Sequence, residues 1–449
     1  MDISTILRGL LGIIVILGIA FLFSNNKKRI NWKLVASGLG IQITFAILII
    51  LHEPLTAFFY PLGLPKLIID WLGSAVVSLL GFTIEGAKFV FGNLAVNYGP
   101  ESLGFFFAFQ VLPTIIFVSS LTSVLYYIGI LQQVVKGMAW LMAKLMGTSG
   151  AESLSNTGNI FVGQTEAPLL IRPYISTMTQ SELLTIMVGG MATIAGGVMA
   201  AYIQMLGHSF AAIHGTDVAT AQLNFAVKLL AASVMAAPAS LAISKIIYPE
   251  VGEPLTKGTV KLKIEQKSSN VIEAAATGAS DGLQLALNVG GMLLAFIAFI
   301  AMLNYLLLQF GDITGINSYL MSTIKQPLSM QVVFGTVLQY LAFAIGVPWN
   351  DSFIFGSLLG TKVVLNEFVA YLDLAAFIKQ GIMSEKAITM ATFALCGFAN
   401  FSSIAIQIGG ISPMAPERKK DLASLGLRAV LGGTLSTLLT ATIAGILLG

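Results

Sequence analysis

The stretch Asn159–Tyr174, NIFVGQTEAPLLIRPY, places a carboxylate, a guanidinium and two prolines inside an apolar chain. Pro168 has no amide hydrogen, and it disfavours helix in the residue before it. A helix that enters this stretch is therefore expected to stop close to Gln164 and to restart at Pro168, because proline suits the first turn of a helix. The sequence predicts a helical hairpin whose tip displays Gln164, Thr165 and Glu166.

The composition assigns the chain to the membrane. Its 449 residues are 56% hydrophobic and 10% charged, whereas a soluble domain carries about 25% charged residues. The net charge of +3 is small and the basic residues lie in loops, so nucleic acid is not an expected partner. The single cysteine, Cys396, excludes an internal disulfide and a cysteine metal cluster. The sequence contains no GxxxxGK[ST] phosphate loop, so ATP hydrolysis is not the expected source of energy.

Basic residues predict the orientation of the chain in the membrane. The first apolar run, 3–23, is long enough to span and is followed by the basic cluster Lys27–Lys33. A second cluster, Glu417–Lys420, precedes the last apolar run, 425–448. Lysine and arginine near the ends of spans stay cytoplasmic. Both termini are therefore expected outside the cytoplasm, with an even number of crossings.

The remaining apolar runs predict further membrane elements. The segment Lys66–Phe82 mixes charge with Trp71 near its start, and we expect it to lie along the membrane interface. The segment 250–281 is polar and predicts a loop. The other apolar runs are a second span that ends near 51, then 103–130, 183–206, 223–247, 283–310 and 332–347.

Four interrupted segments form two pairs. Asn159–Tyr174 is followed by the glycine-rich Gly189–Tyr202, and the acid-bearing Gly356–Leu374 is followed by Ala394–Gly410. Irregular backbone at membrane depth is tolerated only where protein buries it or water reaches it. Interrupted segments at corresponding places in two halves point to the binding site of a transporter with an internal inverted repeat. Glu367 is expected at the tip of the second hairpin, as Glu166 is at the tip of the first.

The two carboxylates have alternative explanations. An acid within the membrane costs about 2.5–3.5 kcal/mol and marks a functional site by default. The alternatives are an ion pair of Glu166 with Arg172 and an ion pair of Glu367 with Lys362. Residues 166 and 172 are too far apart in sequence to be neighbours on one helix. We therefore interpret both acids as site residues.

The polar residues of the broken helices also have a packing alternative. Gly196 and Gly197 could serve close helix packing, and Asn400 with Ser403 could join two helices. Thr193 beside the glycine pair, facing a polar tip, favours an unwound binding site instead.

The chemistry of these groups predicts the ligands. Ionised carboxyl groups only accept hydrogen bonds, so two acids suit the hydroxyls of a sugar, and amides such as Gln164 and Asn366 can both donate to and accept from a heterocycle. The residues thus favour a neutral, hydroxylated solute. A cage of oxygens for a small cation would come from the freed carbonyls near Val162 and Ile194 and the side chains of Asn159 and Thr193.

Four motifs carry a resemblance to the concentrative nucleoside transporter family. They are GQTEAP at 163–168, ATIAGG at 192–197, GTKVVLNEFVAY at 360–371 and GFANFSSI at 397–404, in that order. The resemblance implies an all-α polytopic membrane protein with eight spanning helices, two re-entrant hairpins, an interfacial helix, a homotrimer and an elevator-like movement. One transporter domain would fill the chain. Its parts are a first hairpin with its broken helix at 150–210, a second such unit at 340–412, and scaffold or oligomerisation elements at 66–130 and 283–310.

The resemblance also implies residue roles. In the first hairpin Gln164, Thr165 and Glu166 would meet the nucleobase, with Val198 beside them and Leu294 as an apolar base contact. In the second unit Glu367, Asn400 and Ser403 would meet the ribose, with Phe398 nearby. Sodium would be held by Asn159, Val162, Thr193 and Ile194.

The functional expectation is a symporter that imports a nucleoside such as uridine with sodium across a bacterial inner membrane. Proton-coupled members of the family depart from the GQTEAP and ATIAGG patterns. This chain retains both, so the resemblance favours sodium over protons as the coupling ion. The alternatives are a proton-coupled nucleoside symporter, an intramembrane enzyme and a passive channel. No serine–histidine, paired-aspartate or HExxH arrangement lies in the spans, which disfavours the enzyme. The choice between purine and pyrimidine nucleosides stays open.

Overall fold

The computed structural model of the chain describes residues 3–96, 102–257 and 268–448. Nineteen α-helices account for most of these residues, and no β-strand occurs among them. Within the described ranges, the isolated β-bridge found joins Ser149 to Lys257. The all-α class implied by the resemblance is confirmed.

The N-terminal part holds seven helices. The first two agree with the apolar runs that end near 23 and 51, and the others follow through a series of short turns. They are α1 (Ile3–Leu22), α2 (Trp32–Ile50), α3 (His52–Phe58), α4 (Leu64–Phe91), α5 (Phe107–Gln110), α6 (Leu112–Ile128) and α7 (Ile130–Met146).

Two predicted elements of this part differ from the structure. The segment 66–82 lies within α4, a single helix of 28 residues whose length and composition also suit a full span. Its placement along the interface stays a prediction. The run 103–130 is not one helix, because residues 102–106 are not helical and a turn at Val111 separates α5 from α6.

The first hairpin and its broken helix occupy residues 150–214. Helix α8 (Gly150–Gly158) descends to the tip, a 3₁₀ segment (Ala167–Thr177) returns, and α9 (Gln180–Ala192) and α10 (Gly196–His214) follow. Residues 193–195 interrupt the last two helices with extended backbone. Helix α11 (Val218–Ile247) closes this part of the chain.

The predicted end of the first arm near Gln164 is wrong. Helix α8 already stops at Gly158, where a side chain would meet Leu170 of the returning arm at 2.8 Å. Tight turns then replace the helix, with the amides of Ile160 and Phe161 bonded to carbonyls three residues back. The return begins at Ala167, with Pro168 in its first turn as expected.

The C-terminal part repeats the hairpin and the broken helix. Its second hairpin is formed by α15 and α16, and its broken helix by α17 and α18. The elements are α12 (Val271–Ile313), α13 (Ile316–Thr323), α14 (Met330–Ala344), α15 (Trp349–Val364), α16 (Glu367–Gln380), α17 (Glu385–Leu395), α18 (Phe401–Ile411) and α19 (Lys419–Leu447).

Two boundaries in this part were predicted wrongly. The polar segment 250–281 does not remain a loop to its end, because the Asn270 side chain accepts the Glu273 amide and starts α12 there. The last helix begins at Lys419, inside the basic cluster, rather than at 425. In both cases polar residues form the first turns of a helix whose apolar part was recognised.

Eight helical segments in the described part of the chain are long and apolar enough to cross a membrane. A ninth is possible if α14 and α15, which meet at 120°, form one bent span. The eight are Ile3–Leu22, Trp32–Ile50, Tyr60–Ala95, Phe107–Ile128, Gln180–His214, Val218–Ile247, Val271–Ile313 and Pro416–Leu447.

The two hairpins start from opposite ends of the molecule. At one end, which we call the basic end, Arg418 donates to the carbonyls of Ser176 and Met178 at the base of the first hairpin. At the other, which we call the terminal end, Arg8 donates to the Val347 carbonyl at the base of the second hairpin, 2.7 Å away. A side chain at Gly9 would meet Ile446, so the start of α1 and the end of α19 share the terminal end.

Candidate functional site

The tip of the first hairpin points a buried amide at α18. Gln164 is 7% exposed, and its Nε2 donates to the Ser403 hydroxyl at 3.2 Å. Its Oε1 is buried without a hydrogen-bond partner. Glu166 is exposed, and its carboxylate accepts the amide of Gly163 within the same tip. The tip therefore holds one enclosed amide and one accessible acid.

Two glycines make room for this tip. A side chain at Gly190 of α9 would lie 2.9 Å from the Gln164 Cβ. One at Gly410 of α18 would lie 2.9 Å from the Thr165 Cβ. Because real Cβ atoms do not approach so closely, any larger residue at either position would push the tip out of place.

The tip of the second hairpin presents a buried acid. Asn366 caps α16 by accepting the Val369 amide at 2.9 Å, which orients the residue that follows. That residue, Glu367, is 5% exposed. Its two oxygens accept from the Tyr202 hydroxyl at 3.0 Å and from the Asn400 Nδ2 at 3.1 Å.

Asn400 links the two tips. Its Oδ1 accepts the Ser403 amide at 2.9 Å and the Ser402 hydroxyl at 2.7 Å, which caps α18. The Ser403 hydroxyl in turn receives the Gln164 amide. A continuous polar chain thus runs from the first tip through the start of α18 to Glu367. Each hairpin enters from its own end of the molecule, and the two meet at this point.

Aromatic rings fix the donor to Glu367. The Tyr202 ring stacks on Tyr371 with centroids 4.2 Å apart and meets the edge of Phe368 at 5.0 Å. The Tyr371 hydroxyl donates to the Thr392 carbonyl at 2.7 Å. Because both rings are held, the Tyr202 hydroxyl is positioned before any ligand arrives.

The oxygen groups predicted for sodium fit a small cation. The Asn159 Nδ2 donates to the Ser155 carbonyl at 3.0 Å, but its Oδ1 is buried without a partner. Thr193, 2% exposed, donates to the Gly189 carbonyl at 3.0 Å and keeps its oxygen lone pairs for an ion. Ile194 is fully buried and Val162 partly so. Carbonyl-rich ends of broken helices are the places where transporters hold sodium.

A cavity of about 340 Å³ adjoins the first tip. Val162, Gly163 and Glu166 of the first tip line it, and so do Asp281 and Leu285 of α12. Residues of α6, α7 and the start of α10 complete it. Glu367 does not line it, so the two acids face different surroundings.

Leu294 is 76% exposed on α12 and is not among the residues that line the cavity, so its contact with a base stays a prediction. The alternative explanation of Glu367, an ion pair with Lys362, is absent from the structure. The Lys362 Nζ donates to the Ala394 carbonyl at 2.8 Å and to the Thr437 hydroxyl at 3.0 Å.

The remaining predicted residues lie close to the network. Val198 is buried in α10, and Phe398 is half-buried, with its amide bonded to the Thr193 carbonyl at 3.3 Å. The sequence argument missed Tyr202. It ends the segment Gly189–Tyr202, and a buried tyrosine needs a partner for its hydroxyl. This requirement for a hydrogen-bond partner was a signal in the sequence, although it did not identify Glu367 as the partner.

A helical membrane protein whose hairpins meet between two interrupted helices has the architecture of a secondary transporter. Comparison with known protein families narrows this class. A family model described as Na+ dependent nucleoside transporter N-terminus matches residues 11–94, one described as Nucleoside recognition matches 108–209, and one described as Na+ dependent nucleoside transporter C-terminus matches 228–445. The chain belongs to the Na+ dependent nucleoside transporter family. Sodium is the coupling ion of this family, whose members are transporters and not enzymes.

Relatives and solved structures agree over nearly the whole chain. An uncharacterized transporter of Haemophilus influenzae is 44% identical over 99% of this chain and 98% of its own. Sodium/nucleoside cotransporter 1 of Homo sapiens is 40% identical over 97% of this chain and 63% of its own length. CNTnw in an inward-facing substrate-bound state is 40% identical, with a TM-score of 0.83 over 99% of both chains. A substituted CNTnw in an outward-facing state is 39% identical, with a TM-score of 0.86 over 100% of this chain and 99% of that one.

Proposed function

We propose that this protein is a symporter that imports nucleosides such as uridine with sodium. The observation that carries the proposal is the polar chain from Gln164 through Ser403 and Asn400 to Glu367. It joins the tips of two hairpins that enter from opposite ends. A solute bound between them can be uncovered toward either end by moving one unit relative to its surroundings.

The ribose would bind at the second tip. Glu367 offers a carboxylate already oriented by Tyr202 and Asn400, and carboxylates accept from vicinal hydroxyls. Ser403 and Asn400 would complete this part of the site, with Phe398 packed nearby. Leu294, which is 76% exposed on α12, would be an apolar contact for the base.

The nucleobase would bind at the first tip. The unpaired Oε1 of Gln164 is an acceptor for an N–H group on the base. Thr165 and Glu166 would add polar contacts, and Val198 would pack against the ring. Because an amide can both accept and donate, this tip does not by itself choose purine or pyrimidine.

Sodium would be held by Asn159, Val162, Thr193 and Ile194. It would fix the turn that follows α8 and thereby order Gln164 and Glu166. One sodium ion moving down about 100 mV supplies roughly 2.3 kcal/mol. At about 1.4 kcal/mol per tenfold, that supports a nucleoside gradient of roughly fifty-fold.

The movement would be of the elevator type. The cavity lies between the tip of the first hairpin and residues of α6, α7 and α12, which would let a moving unit shift beside a scaffold. CNTnw has been solved in inward-facing, intermediate and outward-facing states, which supports such a movement in a related chain. The exposed α12 would belong to the scaffold and to the contact between copies in a homotrimer. The mass of the purified oligomer tests that assembly.

The orientation of the chain in the membrane is inferred from the basic residues at the basic end. Its clusters Lys27–Lys33 and Arg418–Lys420 would face the cytoplasm of a bacterium, with both termini outside the inner membrane. Single cysteines at Asn26 and Lys419, in a Cys396→Ser background, should resist an impermeant thiol reagent in right-side-out vesicles. Labelling of either from outside would reverse this orientation.

Uptake into sealed liposomes tests the function. Purified protein should concentrate uridine when sodium is higher outside, and accumulation should collapse when choline replaces sodium. Equal accumulation in choline would contradict sodium coupling. An imposed proton gradient that drives uptake in choline would then favour the proton-coupled alternative.

A further inference from the structure

Lys362 is a fully buried lysine whose surroundings differ from those of a surface ion pair. Its side chain is 0% exposed, and its Nζ donates to the Ala394 carbonyl and the Thr437 hydroxyl. Within the described ranges no carboxylate lies within salt-bridge distance of it. Since a charge inside the membrane is costly, this ammonium should have a specific task.

The ammonium lies where two helices end. Lys362 is in the last turn of α15, the first arm of the second hairpin. Ala394 is in the last turn of α17, the first half of the following broken helix. The C-terminal end of a helix carries partial negative charge, so two such ends create a place for a cation.

The first unit has the same arrangement without a cationic side chain. There α8 and α9 pack against each other, with the Asn156 amide of α8 donating to the Thr185 carbonyl of α9 at 3.3 Å, and their last residues lead into Asn159 and Thr193. Neither helix contains lysine or arginine. The buried Asn159 Oδ1 has no partner in this place, whereas Lys362 supplies the donor in the second unit.

The two helix-end positions lie beside the contact between the two interrupted helices, α9–α10 and α17–α18. The Phe398 amide donates to the Thr193 carbonyl at 3.3 Å, which joins the interruption of α9–α10 to that of α17–α18. A side chain at Gly397 would come within 2.7 Å of the Met191 carbonyl, so the two breaks pack backbone against backbone. Each interrupted helix therefore has one position for a cation next to its own interruption.

We propose that the Lys362 ammonium is a tethered cation that takes, in the second unit, the place that sodium takes in the first. The inference rests on the sodium site proposed above. The last turn of α15 leads directly to Asn366 and Glu367, so the ammonium holds the acid ready for ribose with or without sodium. The tip that carries Gln164 has no such tether and is ordered by the ion.

Thr437 gives a mild test with a matched control. Thr437→Val removes one acceptor of the ammonium at nearly constant volume. Thr442→Val is the control, because Thr442 is also buried in α19 and donates to its own helix but does not contact Lys362. We expect Thr437→Val to weaken uridine binding at saturating sodium about tenfold. Sodium binding measured without uridine should stay unchanged, and Thr442→Val should change neither affinity.

Equal effects of the two variants on uridine, or no effect of Thr437→Val, would overturn the proposal. So would a parallel loss of sodium affinity, which a general structural defect produces. Calorimetric titration of purified protein gives both affinities. If the unchanged protein shows no sodium binding at all, the proposed symport fails, while a uridine-specific effect of Thr437→Val would still identify the tether.

Lys362→Ser gives a stronger test. It removes the ammonium and leaves space beside carbonyl oxygens. Uridine affinity at low sodium should fall about a hundredfold. High sodium should restore part of it, with a steeper sodium dependence than that of the unchanged protein, because a second ion can enter. Unchanged affinity, or a folded variant that no sodium concentration rescues, would overturn the proposal. If the Lys362→Ser variant does not fold, the comparison of Thr437→Val with Thr442→Val tests the proposal.

Discussion

The two hairpin tips each carry a glutamate, but they hold it differently. Glu367 is enclosed, with donors from α10 and α18 on both of its oxygens. Glu166 is exposed to a cavity and accepts an amide from its own tip. The second tip is thus assembled by distant parts of the fold, whereas the first depends on a local turn. We infer that the second tip is a preformed part of the site and the first is the part that responds to the ion.

The largest expected effect comes from Glu367→Gln. The amide would place a donor against either the Tyr202 hydroxyl or the Asn400 amide, and it removes the charge that strengthens bonds from ribose. Hydrogen bonds to charged groups contribute about 1.5–3 kcal/mol each. Uridine affinity should fall about a hundredfold. Calorimetry on protein that still elutes as one species measures this change.

Analogues test the ribose role of Glu367 directly. A deoxyuridine that lacks one ribose hydroxyl should lose less affinity in Glu367→Gln than in the unchanged protein. Equal losses in both backgrounds would remove Glu367 from the ribose contact.

Thr193→Val should act on the ion rather than on the nucleoside. It removes one proposed oxygen ligand at similar size, so the sodium concentration for half-maximal uptake should rise about tenfold. Uptake at saturating sodium should change little. Thr185→Val is the control, since Thr185 also donates to a carbonyl four residues earlier in α9. A similar sodium shift in both variants would argue against a ligand role for Thr193.

Tyr202→Phe should have a smaller effect. It removes one of the two donors to Glu367 but leaves the ring stack with Tyr371. Uridine binding should weaken about fivefold, in line with a hydrogen bond of roughly 1 kcal/mol. Tyr371→Phe loses a bond to a backbone carbonyl instead, so it should lower thermal stability with little change in affinity. The reverse pattern would mean that Tyr202 does not orient the acid.

Glu166→Gln should have the smallest effect and a different selectivity. The side chain is exposed, so water screens its charge, and the amide keeps an acceptor. Affinity should fall about threefold, and by different factors for uridine and inosine, because this tip faces the base. Competition uptake measures both factors. A uniform loss for every nucleoside would assign Glu166 to the ribose instead.

Much of the site could be predicted from the sequence, because local rules place its parts. Pro168 predicted the restart of the first hairpin, and Thr193 beside a glycine pair predicted the interruption of α9 and α10. Each of these signals lies within a few residues of the feature it produces. The acids at 166 and 367 stood out because charge is rare in such a chain.

The contacts between units could not be predicted. Tyr202 and Glu367 are 165 positions apart, and Lys362 reaches Thr437 across 75 positions. No periodicity or capping rule links such residues. The glycine at position 158 also reflects a tertiary contact, because a side chain there would meet Leu170 of the returning arm.

The most direct test of the account is the linkage between sodium and nucleoside in purified protein. Calorimetric titration should show that sodium tightens uridine binding at least tenfold relative to choline, because the ion orders the tip that carries Gln164. Uridine must then tighten sodium binding by the same factor. In Thr193→Val the sodium concentration that produces half of this tightening should rise about tenfold, as it should for uptake. Equal uridine affinity in sodium and in choline would contradict an ion-ordered first tip.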